Sequence, residues 1–135
     1  MSTYTNKFID ACENGKLEIV KYLIDTFGVK SDVNPNGIDI HAKNERAFIV
    51  SCGILHLGIV KYLIYLLGVK NKDSNPNVID IHADNDYAFK FACNLKHIEL
   101  AQFLASLDER YMITIENNKI INWGIRKEKF KFRFI

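Results

Sequence analysis

Apolar residues recur along the chain in two helical rhythms and one extended rhythm. Phe8, Ala11 and Cys12 keep the i, i+3, i+4 spacing of one helical face, as do Phe48, Ser51 and Cys52, and Phe89, Ala92 and Cys93. These sets predict first helices over about 6–14, 45–54 and 86–95. A thicker stripe follows each: Leu17, Val20, Leu23, Ile24 and Phe27, then Leu57, Val60, Leu63, Ile64 and Leu67, and with smaller residues Ile98, Ala101, Leu104 and Ala105. Gly28 and Gly68 stand where a left-handed residue ends a helix, with Val29 and Val69 placed to fold back on the last turn. Asn34-Pro35-Asn36 and Asn75-Pro76-Asn77 then mark turns, because proline fixes φ and asparagine tolerates turn geometry. Beyond them Ile38-Asp39-Ile40-His41 and Ile79-Asp80-Ile81-His82 alternate with period two, so the isoleucines take one side and the Asp/His pair the other.

The rhythms belong to one repeated unit. Cys52 lies 40 residues after Cys12 and Cys93 lies 41 after Cys52, and Lys-Tyr-Leu-Ile, Gly-Val-Lys, Asn-Pro-Asn and Ile-Asp-Ile-His-Ala recur with them. A fixed period in this range means stacked supersecondary units, none of which buries its apolar face alone.

Leu17-Glu18-Ile19-Val20-Lys21-Tyr22-Leu23 resembles the second helix of the ankyrin repeat, and Gly37-Ile38-Asp39-Ile40-His41-Ala42-Lys43-Asn44 resembles its finger. The likeness runs over about 6–107, and its long form, with Asp84-Asn85-Asp86-Tyr87-Ala88-Phe89, is similar to the ankyrin arrays of giant DNA viruses. It implies a mainly α, ankyrin-like solenoid with repeats within 1–107 (about 6–43, 44–84 and 85–107); beyond them the period-two alternation from Tyr111 reads as a non-repeat β-strand tail, 108–135, that caps or interacts. Two departures stand out. Extra residues at Gly28–Asn36 and Gly68–Asn77 are expected to bulge as a loop, and the interhelical glycine survives only as Gly15. Leu55 and Lys96 hold its slot in the other units, so those turns are expected to be distorted wherever positive φ is needed.

Composition adds limits. The 135 residues are 48% hydrophobic and 25% charged, one domain's worth of globular material, with 18 basic against 16 acidic side chains. That balance hides a basic tail: residues 126–135 carry five basic side chains against one acidic, a net of +4, on a body of 13 basic and 15 acidic. No apolar run approaches the ~18–20 residues of a membrane span, and the N-terminus lacks a secretory pattern. An intracellular, cytoplasmic chain is expected, in host cytoplasm if viral, and the odd, scattered Cys12, Cys52 and Cys93 fit reduced core thiols.

Candidate chemistry is sparse. Stacked equivalents sit about 8–10 Å apart, too far for three thiols to share zinc at ~2.3 Å bonds. No phosphate loop, zinc spacing or nucleophile motif occurs, so no catalytic, cofactor or metal residues are assigned. His56 and His97 fit hydrogen-bonded turn positions. The resemblance implies a non-enzymatic module that binds a protein partner through finger tips and the concave face of the first helices. By position the candidates are Asp39, His41, Lys43, Asn44, Glu45 and Arg46, then Asp80, His82, Asp84, Asn85, Asp86 and Tyr87; the second, more acidic finger suits a partner with basic character. The alternative rests on the tail, where Lys129, Lys131 and Arg133 alternate with Phe130, Phe132 and Phe134. Such a strand closes the stack with its phenylalanines, binds nucleic acid, contacts a membrane surface or a protein partner, or pairs two copies into a dimer.

Overall fold

The computed structural model describes residues 3–69 and 78–127. Among them six helices and one two-stranded antiparallel sheet follow in order: α1 (Thr3–Glu13), α2 (Leu17–Phe27), α3 (Ala42–Gly53), α4 (Leu57–Leu67), α5 (Ala83–Asn94), α6 (Ile98–Leu107), β1 (Tyr111–Glu116) and β2 (Lys119–Ile125). The helices form three hairpins that stack, first helix on first helix and second on second. Asn75-Pro76-Asn77 and the Lys129–Phe134 strand lie outside the described residues.

The core is the predicted one. Phe8, Phe48 and Phe89 are fully buried at equivalent places, with Val20, Val60 and Ala101 behind them and Ile38, Ile40, Ile79 and Ile81 along the fingers. Since a buried aliphatic side chain contributes about 1.5–3 kcal/mol, the fingers are part of the core on their isoleucine side. Cys12, Cys52 and Cys93 are free and buried. Burial pushes the Cys12 thiol up to about 12 and the Cys93 thiol to about 11, and raises that of Cys52 as well.

Three local expectations need correction. Gly28 and Gly68 do have positive φ, but their ψ values of 173° and −179° make them extended rather than left-handed helical. Each amide still closes the helix, on Ile24 and Ile64, and the chain then runs straight into a bridge, Val29 to Ile38 and Val69 to Ile79. The valines therefore start the finger instead of folding back. Asn34 holds the first such loop by donating its side-chain amide to the carbonyls of Phe27 (3.0 Å) and Val29 (3.2 Å). A Cβ on Gly37 would lie 2.7 Å from the backbone of Lys30, so only glycine fits that crossing.

The interhelical turns are not distorted. Gly15, Leu55 and Lys96 have φ of 71°, 60° and 61°. The next amide in each turn bonds the same carbonyl, Lys16 to Ala11, His56 to Ser51 and His97 to Ala92, at 2.8–2.9 Å. Stack geometry overrides residue type, and Leu55 and Lys96 carry strain of about 1–2 kcal/mol each.

The first helices of the second and third units begin differently from the 45 and 86 starts expected. Lys43, Asn44 and Glu45, and again Asp84, Asn85 and Asp86, form a left-handed turn with φ of 55–62° before the ordinary helix takes over. The third second helix ends at an extended Asp108 and leads into the hairpin, whose Asn117-Asn118 turn has positive φ at both residues. That is the two-residue turn whose twist suits antiparallel strands. Ile121 is the extra residue of a bulge between the pairs Thr114↔Asn122 and Ile115↔Ile120. Tyr111, Ile113, Trp123 and Ile125 consequently share the face that packs on the third unit.

Candidate functional site

The candidate residues lie on two tips in register. In each, a finger brings its Asp/His pair to the left-handed turn, which hands the chain to the first helix. Three consecutive L-residues at positive φ are costly, so the contacts that hold them matter. In the first tip the buried Glu45, 4% exposed, supplies two: Oε1 lies 2.5 Å from His41 Nδ1, and Oε2 accepts the backbone N–H of Asp80 in the next finger. Thr5 has the same role one unit earlier, its hydroxyl accepting the Asp39 amide at 3.1 Å. Equivalent positions, Thr5 in the first turn of α1 and Glu45 just ahead of the ordinary turns of α3, thus bind the following finger, and the stack is stitched by polar bonds as well as by isoleucines.

At the third unit the next finger is missing and the hairpin takes its place. Asp86, equivalent to Thr5 and Glu45, accepts a hydrogen bond from the Tyr111 hydroxyl at 2.6 Å. The Tyr111 ring, 4% exposed, stacks on Phe89 with centroids 4.1 Å apart and planes 7° apart, and Trp123 meets Phe89 edge-on at 6.0 Å. His82 sits between two carboxylates: Nδ1 meets Asp86, and Nε2 meets Asp108 Oδ2 at 2.6 Å. Arg110 lies against Asp108 at 3.0 Å. Burial alone would raise the Asp108 carboxyl, but the hydrogen bonds from Arg110 and His82 outweigh it and hold the group down at about 2. Burial, reinforced by Asp86, pushes the Tyr111 phenol up. These groups satisfy one another across a joint and leave no nucleophile beside a free base.

The predicted set therefore divides. Lys43, Asn44, Arg46, Asp84, Asn85 and Tyr87 are exposed; Asp39, His41, Asp80, His82 and Asp86 are half-buried; Glu45 is buried. The exposed parts of the two tips differ in sign: Lys43 and Arg46 on one, Asp84 on the other beside Tyr87, whose ring stacks on Phe91 at 5.5 Å. His56 joins units, its Nε2 lying 3.3 Å from the Glu13 carbonyl of the preceding turn, where a Cβ on Gly15 would be 2.5 Å from its ring. Asp108, Arg110 and Tyr111 carry no site role in the sequence reading. The available signal was the failure of Gly-Val at the end of the third unit together with the alternation that starts at Tyr111. Among the described residues no trio of His, Cys, Asp or Glu is placed to hold a metal ion, and no helix is long and apolar enough to cross a membrane.

Helix pairs in register, linked by extended fingers and stacked into one layer of first helices and one of second, define a solenoid repeat protein. The family profile described as ankyrin repeats, in three copies, matches residues 8–119, and the chain belongs to the ankyrin-repeat family. Searches of curated proteins and of solved structures find no match. Ankyrin repeats are in general protein–protein interaction modules and typically not enzymes.

Proposed function

We propose that this chain binds a protein partner across its two tips and the neighbouring concave face of the first helices. The observation that carries the reading is the opposite sign of two rigidly held tips. Lys43 and Arg46 offer cations from the first, and Asp84 offers an anion beside the Tyr87 ring from the second. A rigid aromatic with adjacent charges is the usual composition of a binding hot spot, and opposed charges fix the direction in which a partner lies. The partner presents an acidic group to the first tip and a basic one to the second. His41, Glu45, His82 and Asp86 hold the tips in shape, and Asp39 and Asp80 flank them. The length of the unit and its Ile-Asp-Ile-His-Ala wording support a place among the ankyrin arrays of giant DNA viruses, acting in host cytoplasm, with 108–135 closing the repeats of 1–107.

Affinity capture from the native cellular context tests this, using the full chain beside a Lys43→Glu/Arg46→Glu variant and an Asp84→Lys variant. The partner is expected in the parent eluate and reduced about tenfold or more with either variant, while circular dichroism and melting stay at parent values. Equal capture by all three would remove the tips from the interface.

A further inference from the structure

The two tips are one backbone structure carrying opposite chemistry. Lys43 and Asp84 stand 41 residues apart, at equivalent places in consecutive units, as do Asn44 and Asn85, and Arg46 and Tyr87. Their backbones agree closely: φ is 55° at Lys43 and 57° at Asp84, and 56° at Asn44 and 58° at Asn85. All six residues are exposed. Each tip is also held from behind in the same way, by Glu45 on His41 and by Asp86 on His82. One tip is thus the other displaced along the stack, with two cations replaced by an anion and an aromatic ring.

That relation makes the pair of tips complementary to itself. A two-fold axis lying in the plane of contact, across the stack and midway between the tips, sets a second copy face to face with the first and reverses its stack direction. Each tip then meets the other tip of the second copy, and equivalent positions fall opposite one another. Lys43 faces Asp84 as an ion pair, and Asn44 faces Asn85, each amide carrying both donors and an acceptor. Arg46 faces Tyr87, whose ring is 37% exposed beside Phe91, and a guanidinium over an aromatic face is attracted to it. Symmetry makes every contact twice. The remaining acids do not upset the match. Glu45 and Asp86 are engaged by the histidines behind them. Asp39 and Asp80 are half-buried at the same place in each tip, and Asp80 accepts the His82 amide at 3.0 Å. They add one negative charge to each tip, so the first stays positive on balance and the second negative.

We propose that the partner of the two tips is a second copy of this chain, bound with its stack direction reversed, with Lys43 and Asp84 as reciprocal ion pairs and Arg46 on Tyr87. The proposal rests on the tips being a binding surface and adds what binds there. Two tips from each copy make a small contact beside the ~1,600 Å² of a standard interface, so the dimer is weak and forms with rising concentration.

Sedimentation velocity on the full chain over a wide concentration range is the test, and a monomer–dimer equilibrium is expected. Lys43→Asp and Asp84→Lys each copy the residue that the equivalent position already carries at nearly the same φ, so both keep the fold, which circular dichroism and melting check. Either variant alone sets like charges opposite each other twice, and its dissociation constant should rise about tenfold or more. Mixed in equal amounts, the two variants are complementary again and should form a heterodimer within about threefold of the parent's dissociation constant. Parent monomer at every concentration overturns the proposal. So does a dimer indifferent to both substitutions, which would place the contact elsewhere, and so does a mixture no tighter than its components. In each of these cases the tips remain the surface for a different protein if capture from the native context still depends on Lys43, Arg46 and Asp84. The tip reading itself falls only with equal capture by parent and variants.

Discussion

The two ends of this stack treat the same problem differently. At the C-terminal end the last first-helix phenylalanine, Phe89, is covered by Tyr111 and Trp123, and the acid that elsewhere binds the next finger, Asp86, is bound by the Tyr111 hydroxyl. A hairpin unrelated to the repeat reproduces both parts of a unit-to-unit joint, the apolar and the polar. At the N-terminal end Ile19 and Tyr22 stand exposed at positions that the stack buries or overlays elsewhere. A repeat interface is therefore a set of requirements on each face, and a different fold element can meet them, or none need do so within one chain.

The largest contrast is expected from paired tyrosine substitutions. Tyr111→Ala removes a buried ring and one of the two partners of Asp86, and should cost about 3–5 kcal/mol with early loss of the third unit; Tyr22→Ala, on an exposed face, should change stability by less than about 0.5 kcal/mol. Thermal and urea unfolding of both variants below the concentration of any self-association measures the difference. Similar losses would mean that the ends are not as unlike as their burial indicates.

A smaller effect sits in the joint's charges. Asp108 is 9% exposed and held at about 2 against an ordinary 3.8. A carboxyl depressed in the folded state gives stability that is full above its unfolded value and is lost as pH falls through the folded one. The hairpin joint should thus weaken between about pH 4 and pH 2, by roughly 1–2 kcal/mol after allowing for solvent screening. Melting curves across that range, compared with Asp108→Asn, give the result: the variant should start less stable at neutral pH and lose less on acidification.

The smallest change should be a gain. Leu55→Gly and Lys96→Gly relieve positive φ at two turns, and since relief of about 1–2 kcal/mol is partly offset by the greater unfolded-state freedom of glycine, each should stabilise by roughly 0.5–1 kcal/mol. A loss would show that these residues contribute packing that outweighs their strain.

What the chain announced and what it hid follow from the range of the interactions involved. The helical stripes, the buried isoleucines of the fingers and the Asn117-Asn118 turn are local signals, and all stand in the structure. The first left-handed turn was hidden because Lys43 and Glu45 have no preference for positive φ. They are held there by His41 and by the amide of Asp80, thirty-five residues on from Glu45. For the same reason Glu45 read as a surface residue and proved buried. The hairpin joint needs Asp86, His82, Asp108 and Tyr111 together, and no short window contains all four. At the turns, the glycine rule foresaw the strain at Leu55 and Lys96 but not that the stack would enforce the same geometry on them.

The three buried thiols have an analytical consequence. Thiolate, not thiol, reacts with alkylating reagents, and Cys12, Cys52 and Cys93 are both shielded and held protonated. Each marks the same depth in a different unit, so each is labelled only when its own unit opens. Chains that retain a single cysteine would turn alkylation into a clock for that unit. The order in which the three clocks run tells from which end the solenoid unravels.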